Sequence, residues 1–250
     1  MTMQHVIITG ASRGLGKALA EAFDNTETTL HLISRSLTKE TVFPDGSLST
    51  VFTYSADFAD TDPEKIMSSV FSSINKPEFI GFINNAATIE PLGPLGKVSA
   101  SDLTQAITVN FTVPLLFVNA FIRLSERMSC DKRIINITSG AAKRPYYGWS
   151  GYCPAKAALN MLTQIASVEQ QELHGDNGVK VMAIAPGILD TDIQKNIRKQ
   201  SKENFSEVGK FIEYYKASAL LPPTEVAAKI KDTMFSIFFP DGDVLDIKDL

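Results

Sequence analysis

Tyr152 and Lys156 stand four residues apart in the stretch Tyr-Cys-Pro-Ala-Lys-Ala-Ala-Leu-Asn-Met-Leu. In a helix that spacing puts both side chains on one face. A phenol ordinarily titrates near pH ~10, and a neighbouring ammonium favours its ionised form. A tyrosine tuned this way is suited to give a proton to a carbonyl oxygen while hydride arrives at the carbon. Ser139 ends the apolar run Ile134-Ile135-Asn136-Ile137-Thr138-Ser139. At the carboxyl end of a strand it would face the same oxygen and donate a hydrogen bond to it. Taken singly, each residue reads as readily as a chance pair or a loop serine, so the remaining pattern decides.

The segment Thr9-Gly10-Ala11-Ser12-Arg13-Gly14-Leu15-Gly16 follows the first apolar run and opens a helical one. Glycines there let the backbone approach a pyrophosphate, and a helix N-terminus offers it free N–H groups. The spacing Gly-x-x-x-Gly-x-Gly differs from the commoner G-x-G-x-x-G, and a plain strand-to-helix turn is the alternative. The second run ends Leu32-Ile33-Ser34-Arg35, with no carboxylate to hold a ribose 2′-hydroxyl. Arg35 together with Arg13 suits a 2′-phosphate, which points to NADP(H). Two solvated surface arginines are the competing reading.

Further along, Ile83-Asn84-Asn85-Ala86-Ala87 places small residues where a ligand would approach. Asn110 lies inside a helical pattern, where asparagine is unfavourable and competes for backbone groups. It is either a surface residue or a disturbance beside a site. In Ala185-Pro186-Gly187-Ile188-Leu189-Asp190-Thr191-Asp192 a turn precedes a helix that Asp190 or Thr191 would cap. Tyr146, Tyr147 and Trp149 offer an aromatic wall for a flat substrate, or else core packing. No metal site is expected.

These residues need a frame. Short β-branched runs at His5–Thr9, Thr29–Ser34, Leu48–Ser55, Phe79–Asn84, Arg133–Ser139, Val179–Ala185 and Val244–Ile247 read as strands. Helical patterns at Leu15–Phe23, Pro63–Ile74, Ser101–Met128, Tyr152–Glu172 and Thr224–Ile237 alternate with them. That alternation predicts an α/β fold, one doubly wound domain over residues 1–250 with a mostly parallel seven-stranded sheet and helices on both faces. Residues 187–222 break the alternation with weak helical patterns at Asp190–Lys199 and Ser206–Ser218. Following a strand's carboxyl end, this segment would cover the site or be a plain surface excursion.

A length of 250 residues suffices for such a core, and 44% hydrophobic with 21% charged residues is ordinary for a globular chain. A net charge of -4 without a basic patch argues against a nucleic-acid partner. Two cysteines, Cys130 and Cys153, read as free thiols of a reducing compartment. No uninterrupted apolar run approaches the ~18 residues of a membrane span, and no targeting signal is read at either end. The cytoplasm is the default expectation.

Taken in order, the glycine turn, the Asn-Asn-Ala segment, Asn110, Ser139, Tyr152, Lys156 and Pro186-Gly187 resemble the short-chain dehydrogenase/reductase family over nearly the whole chain. The resemblance implies a Rossmann-type domain and an oxidoreductase. It implies Tyr152 as general acid, with Lys156 lowering its pKa and holding the nicotinamide ribose. It implies Ser139 polarising the carbonyl and Asn110 holding a water on the proton path. For NADP(H) it implies Gly10, Ser12, Arg13, Gly14, Leu15, Gly16, Arg35, Asp57 at the adenine, Asn84, Ala86, Gly187, Leu189 and Thr191. Ala87 departs from the glycine many members carry.

A narrower resemblance, in Gly148–Lys156, Ala185–Gln194 and Asp243–Asp246, is to the benzil reductases and sepiapterin reductases of that family. It implies reduction of one ketone of an activated α-dicarbonyl such as benzil to an (S)-benzoin-type hydroxyketone. A pterin side-chain ketone is the alternative, with Asp246 as the pterin anchor and Trp149 beside the substrate. Oxidation of a hydroxysteroid or sugar, and a non-catalytic NADP(H)-binding regulator, are further alternatives. The partner is then a small-molecule ketone, and the resemblance implies a dimer or tetramer.

Overall fold

Runs such as His5–Thr9 and Phe79–Asn84 lack the polar alternation of a half-exposed strand, and both of their faces are covered. In the computed structural model, which describes residues 4–35 and 37–250, they become strands of one parallel sheet. The strands are β1 (Gln4–Thr9), β2 (Thr28–Ser34), β3 (Thr50–Ser55), β4 (Phe79–Asn84), β5 (Asp131–Ile137), β6 (Lys180–Ala185) and β7 (Val244–Asp246). Their order is β3-β2-β1-β4-β5-β6-β7, every pair parallel. The order reverses between β1 and β4, which opens a crevice beyond their carboxyl ends. β4 is buried along its length, whereas the edge strand β3 alternates between exposed and half-buried.

The helices are α1 (Gly14–Ala22), α2 (Lys39–Val42), α3 (Pro63–Ser72), α4 (Ala100–Ile107), α5 (Val113–Ser125), α6 (Tyr152–His174), α7 (Asp192–Arg198), α8 (Val208–Lys216) and α9 (Pro223–Phe235). Leu15, Leu19, Val226 and Ile230 of α1 and α9 pack on Val6, Ile8, Leu30 and Leu32 on one face. Val70, Phe117 and Phe121 of α3 and α5 pack on Ile7, Ile33 and Phe82 on the other. Complete burial of one such phenylalanine contributes roughly 1.5–3 kcal/mol. A third cluster joins Trp149 to Phe205 and Phe211 of the segment after β6.

Several boundaries follow from local chemistry. Asp62 accepts from the N–H groups of Glu64 and Lys65, and Pro63 occupies the first turn, so α3 starts sharply. The expected strand Arg133–Ser139 runs from Asp131 to Ile137, which leaves Ser139 to cap a short 3₁₀ turn at Gly140–Ala142. The expected strand Leu48–Ser55 begins only at Thr50. The expected single helix Ser101–Met128 is three pieces, because a π-helical turn at Thr108–Thr112 separates α4 from α5. By length and composition the run Ala100–Ser125 is apolar enough to cross a membrane. Here Val113, Phe117, Val118, Ala120 and Phe121 turn inward as a core face.

A buried polar chain ties β4, β5, α5 and α6 together. Asn84 Nδ2 donates to the Pro114 carbonyl and to Asn136 Oδ1, each at 3.2 Å. Asn136 Nδ2 donates to Thr163 Oγ1 at 2.9 Å, and that hydroxyl donates to the Leu159 carbonyl at 2.9 Å. The helix bearing Tyr152 is thereby fixed to the sheet.

Candidate active site

The crevice holds a cleft of about 570 Å³, lined by Gly10, Ser12, Arg13, Gly14, Leu15, Gly16, Arg35, Asp57, Ala86, Tyr152, Lys156, Leu189 and Thr191 among others. Thirteen expected site residues from six separate segments therefore face one cavity. The glycine turn bends into it because Gly10 has φ 69°, and a Cβ there would stand 3.0 Å from Ala86 Cα. α1 has no side-chain N-cap and no acidic residue in its first turn, so its free N–H groups are left for an anion. Ser34 Oγ donates to Ser12 Oγ at 2.9 Å and braces the turn against β2. Arg35 is exposed at the cleft margin. Arg13 lies 3.8 Å from Asp192, an exposed and weak pairing that a phosphate would displace readily. This donor set, glycine turn, uncapped helix and two guanidinium groups, fits a phosphate-bearing dinucleotide.

Tyr152, which opens α6, lines the same cleft. Burial pushes its phenol up to about 12, and hydrogen bonding with Ser139 pulls in the opposite direction. The expected lowering by Lys156 is thus not what sets the phenol in this state; loss of solvent, which penalises the phenolate, does. Lys156 is buried, and that burial pulls its ammonium down to about 8. Its Nζ donates to the Ile137 carbonyl at 2.8 Å and lies 5.8 Å from the centre of the Tyr152 ring. Ser139 Oγ accepts from the Ala141 N–H at 3.1 Å, which fixes the side chain beside the tyrosine.

Asn110 is wholly buried in the π-helical turn. Its Oδ1 accepts from the Thr88 N–H at 2.9 Å and its Nδ2 donates to the Thr88 carbonyl at 2.8 Å. The side chain clamps the loop after β4, so the disturbance of the helix is a built feature.

Six expected residues, Asn84, Asn110, Ser139, Trp149, Gly187 and Asp246, are not among those lining the cleft. Asn84 is turned into the buried polar chain, and its neighbour Asn85 lines the cleft instead, donating from Nδ2 to the Thr9 carbonyl at 2.9 Å. Trp149 is 5% exposed and belongs to the aromatic cluster rather than to the cleft wall. Asp246 caps the closing turn Ile247–Asp249 through the Lys248 N–H, away from the cleft lining. Gly187 sits behind the wall at φ 77°, where it turns the chain off β6. Thr88, Glu90, Pro91, Gln105, Val109 and Ile193 line the cleft without having been singled out by sequence. None of them carried a signal in the sequence, since Thr88 meets Asn110 only through the fold. Among the described residues no group of His, Cys, Asp or Glu gathers to hold a metal ion.

Residues 4–202 match the short chain dehydrogenase family. The chain is 36% identical over 249 residues to "Benzil reductase ((S)-benzoin forming)" of Bacillus cereus, covering 98% of this chain and 99% of that protein. It is 30% identical over 213 residues to sepiapterin reductase of Mus musculus, covering 79% and 78% of the two chains. Its fold superposes on the crystal structure of a short-chain dehydrogenase/reductase from Saccharomyces cerevisiae with TM-score 0.85 at 21% identity, covering 98% and 96%.

Proposed function

Because this chain belongs to the short-chain dehydrogenase family, we propose that it is an NADPH-dependent carbonyl reductase that converts one ketone of an activated α-dicarbonyl to a chiral α-hydroxyketone. The observation that carries this reading is that Tyr152 and Lys156 line the same cleft as the glycine turn, with Ser139 in hydrogen-bonding reach of Tyr152. The likeness to a benzil reductase over nearly the full length supports the dicarbonyl class and the (S)-benzoin type of product. Arg13 and Arg35 at the cleft margin support NADPH over NADH.

In this mechanism bound NADPH supplies the hydride. Tyr152 gives its hydroxyl proton to the substrate oxygen as negative charge gathers there. Ser139 donates a second hydrogen bond to that oxygen. Lys156 places a positive charge behind the phenol, so the tyrosinate left after proton transfer is favoured until it is reprotonated. Asn110 clamps Thr88 beside the cleft and keeps one N–H and one lone pair of its amide for the water-holding role. General-acid help of this kind is worth roughly 10²–10⁴-fold. A second copy of the chain would cover Leu116, Met161, Ile165 and Val168, which are exposed on α5 and α6.

Tyr152→Phe tests the assignment. NADPH oxidation with benzil should fall by roughly 10²-fold or more, while NADPH still binds. Wild-type turnover with NADPH should exceed that with NADH. A Tyr152→Phe protein that reduces benzil at the wild-type rate would overturn the role given to the tyrosine.

A further inference from the structure

Trp149, the single tryptophan of the chain, is withdrawn from the cleft yet touches the residue on which the reaction turns. We propose that Trp149 is a positioning residue that holds the Tyr152 ring and makes its orientation depend on the seating of residues 201–218 against Trp149. The proposal rests on the reading of Tyr152 as proton donor.

The contacts run in one chain. The Trp149 ring meets Tyr152 edge-on, with centroids 5.3 Å apart and planes at 62°. Its other side stacks on Phe205 at 4.8 Å and 27°, and its edge meets Phe211 at 5.8 Å and 72°. Phe205 is wholly buried between α7 and α8, and Phe211 lies on α8. Both belong to the segment after β6. Phe205 and Phe211 also pack on each other at 5.4 Å, so the segment presents one aromatic face to Trp149.

The backbone makes the same connection. The Trp149 carbonyl accepts from the N–H groups of Tyr152 and Cys153 at 3.2 and 3.0 Å, and so starts the helix that carries the tyrosine. Gly148 has φ 87°, and a Cβ there would stand 2.0 Å from the Asn204 carbonyl oxygen. Residues 201–218 therefore rest directly on the peptide that precedes Trp149. On the opposite side a Cβ on Gly151 would stand 2.8 Å from Ala106 Cβ of α4. The Gly93 N–H donates to the Gly148 carbonyl at 3.0 Å and closes the third side. Residues 148–151 have no free direction in which to shift. A lift of Phe205 removes one wall of Trp149, and Trp149 is itself a wall of Tyr152. An off-angle proton donor costs turnover without costing cofactor affinity, because the phosphate-binding turn is a separate segment of the chain.

The test uses the full chain labelled with 3-fluorotyrosine, in which the Tyr152 resonance is the one that Tyr152→Phe removes. Phe205→Leu keeps the cluster apolar, and Phe211→Leu replaces it should the first variant fail to fold. Either is expected to change the emission of Trp149 and to shift or broaden the Tyr152 fluorine resonance. In NADPH-dependent benzil reduction kcat should drop about tenfold while KM for NADPH stays within about twofold. Trp149→Phe should keep most of the turnover, and Trp149→Ala should not. An unmoved Tyr152 resonance in the leucine variants overturns the coupling, as does wild-type kcat in Trp149→Ala. A wild-type protein that reduces no dicarbonyl counts against the proposed function instead, and the fluorine spectrum still decides the coupling.

Discussion

At neutral pH the Tyr152 hydroxyl keeps its proton, since burial pushes it up to about 12. Reduction of a ketone consumes that proton, so kcat/KM for reduction should stay flat from about pH 6 to pH 7.5 and fall above about pH 8 as Lys156 loses its charge. Oxidation of the hydroxyketone needs the phenolate and should rise about tenfold per pH unit from about pH 6 to pH 7.5. Initial rates in both directions check this, and a reduction rate that falls steadily from about pH 6 would sink it. The pair itself was legible from an i, i+4 spacing. The direction of its shift was not, because spacing reports the Lys156 charge but says nothing of desolvation. Adjacent Asn84 and Asn85 were indistinguishable in sequence, and only the pleat of β4 decides which faces the cleft. Trp149 could not be assigned before Phe205 and Phe211, some fifty residues later, were seen to enclose it.

Among the elements, α6 has two jobs that divide its faces. Ala155, Lys156, Leu159 and Thr163 turn toward the sheet and the cleft. Met161, Ile165 and Val168 recur on the outer face and are 56%, 46% and 62% exposed. Apolar residues at that spacing form a stripe a second helix would cover. Ile165→Asp should convert an oligomer to a monomer with its fold intact, as read by sedimentation equilibrium and circular dichroism. A wild-type protein that sediments as a monomer would remove the stripe's assigned purpose. The strands were readable to within about two residues because double-sided burial demands long apolar runs. α2 escaped notice because four residues carry no period. The break between α4 and α5 was foreshadowed by Asn110 alone, and its π-turn form depends on Thr88, which approaches only in three dimensions.

Across the whole molecule, acid stability should turn on a histidine pair buried between β1 and β2. His5 and His31 stack at 5.3 Å and share a 3.0 Å hydrogen bond between Nδ1 and Nε2. Burial, with His5 close by, pulls His31 down to about 3, and burial lowers His5 as well. Above pH ~6.5 the ring is neutral in both folded and unfolded chains and its ionisation has no effect. Below that, the unfolded chain binds a proton that the folded one refuses, so stability falls as pH drops toward 3. For His31 the loss is about 2 kcal/mol at pH 5. Urea unfolding at pH 7 and pH 5 measures it, and His31→Phe should shrink the difference between the two values. An equal difference in the variant would refute the assignment. The sheet order has a consequence of another kind, for the growing chain on the ribosome. β1 is made first and is paired on one side by β2 once residue 34 has emerged. Its other partner, β4, lies about 75 residues downstream of it. At ribosomal speed that interval lasts roughly 4–15 s. For that time one edge of a strand buried in the finished fold is bare, so aggregation at β1 is a hazard for the nascent chain, and a holding chaperone has most to offer before residue 84 is made.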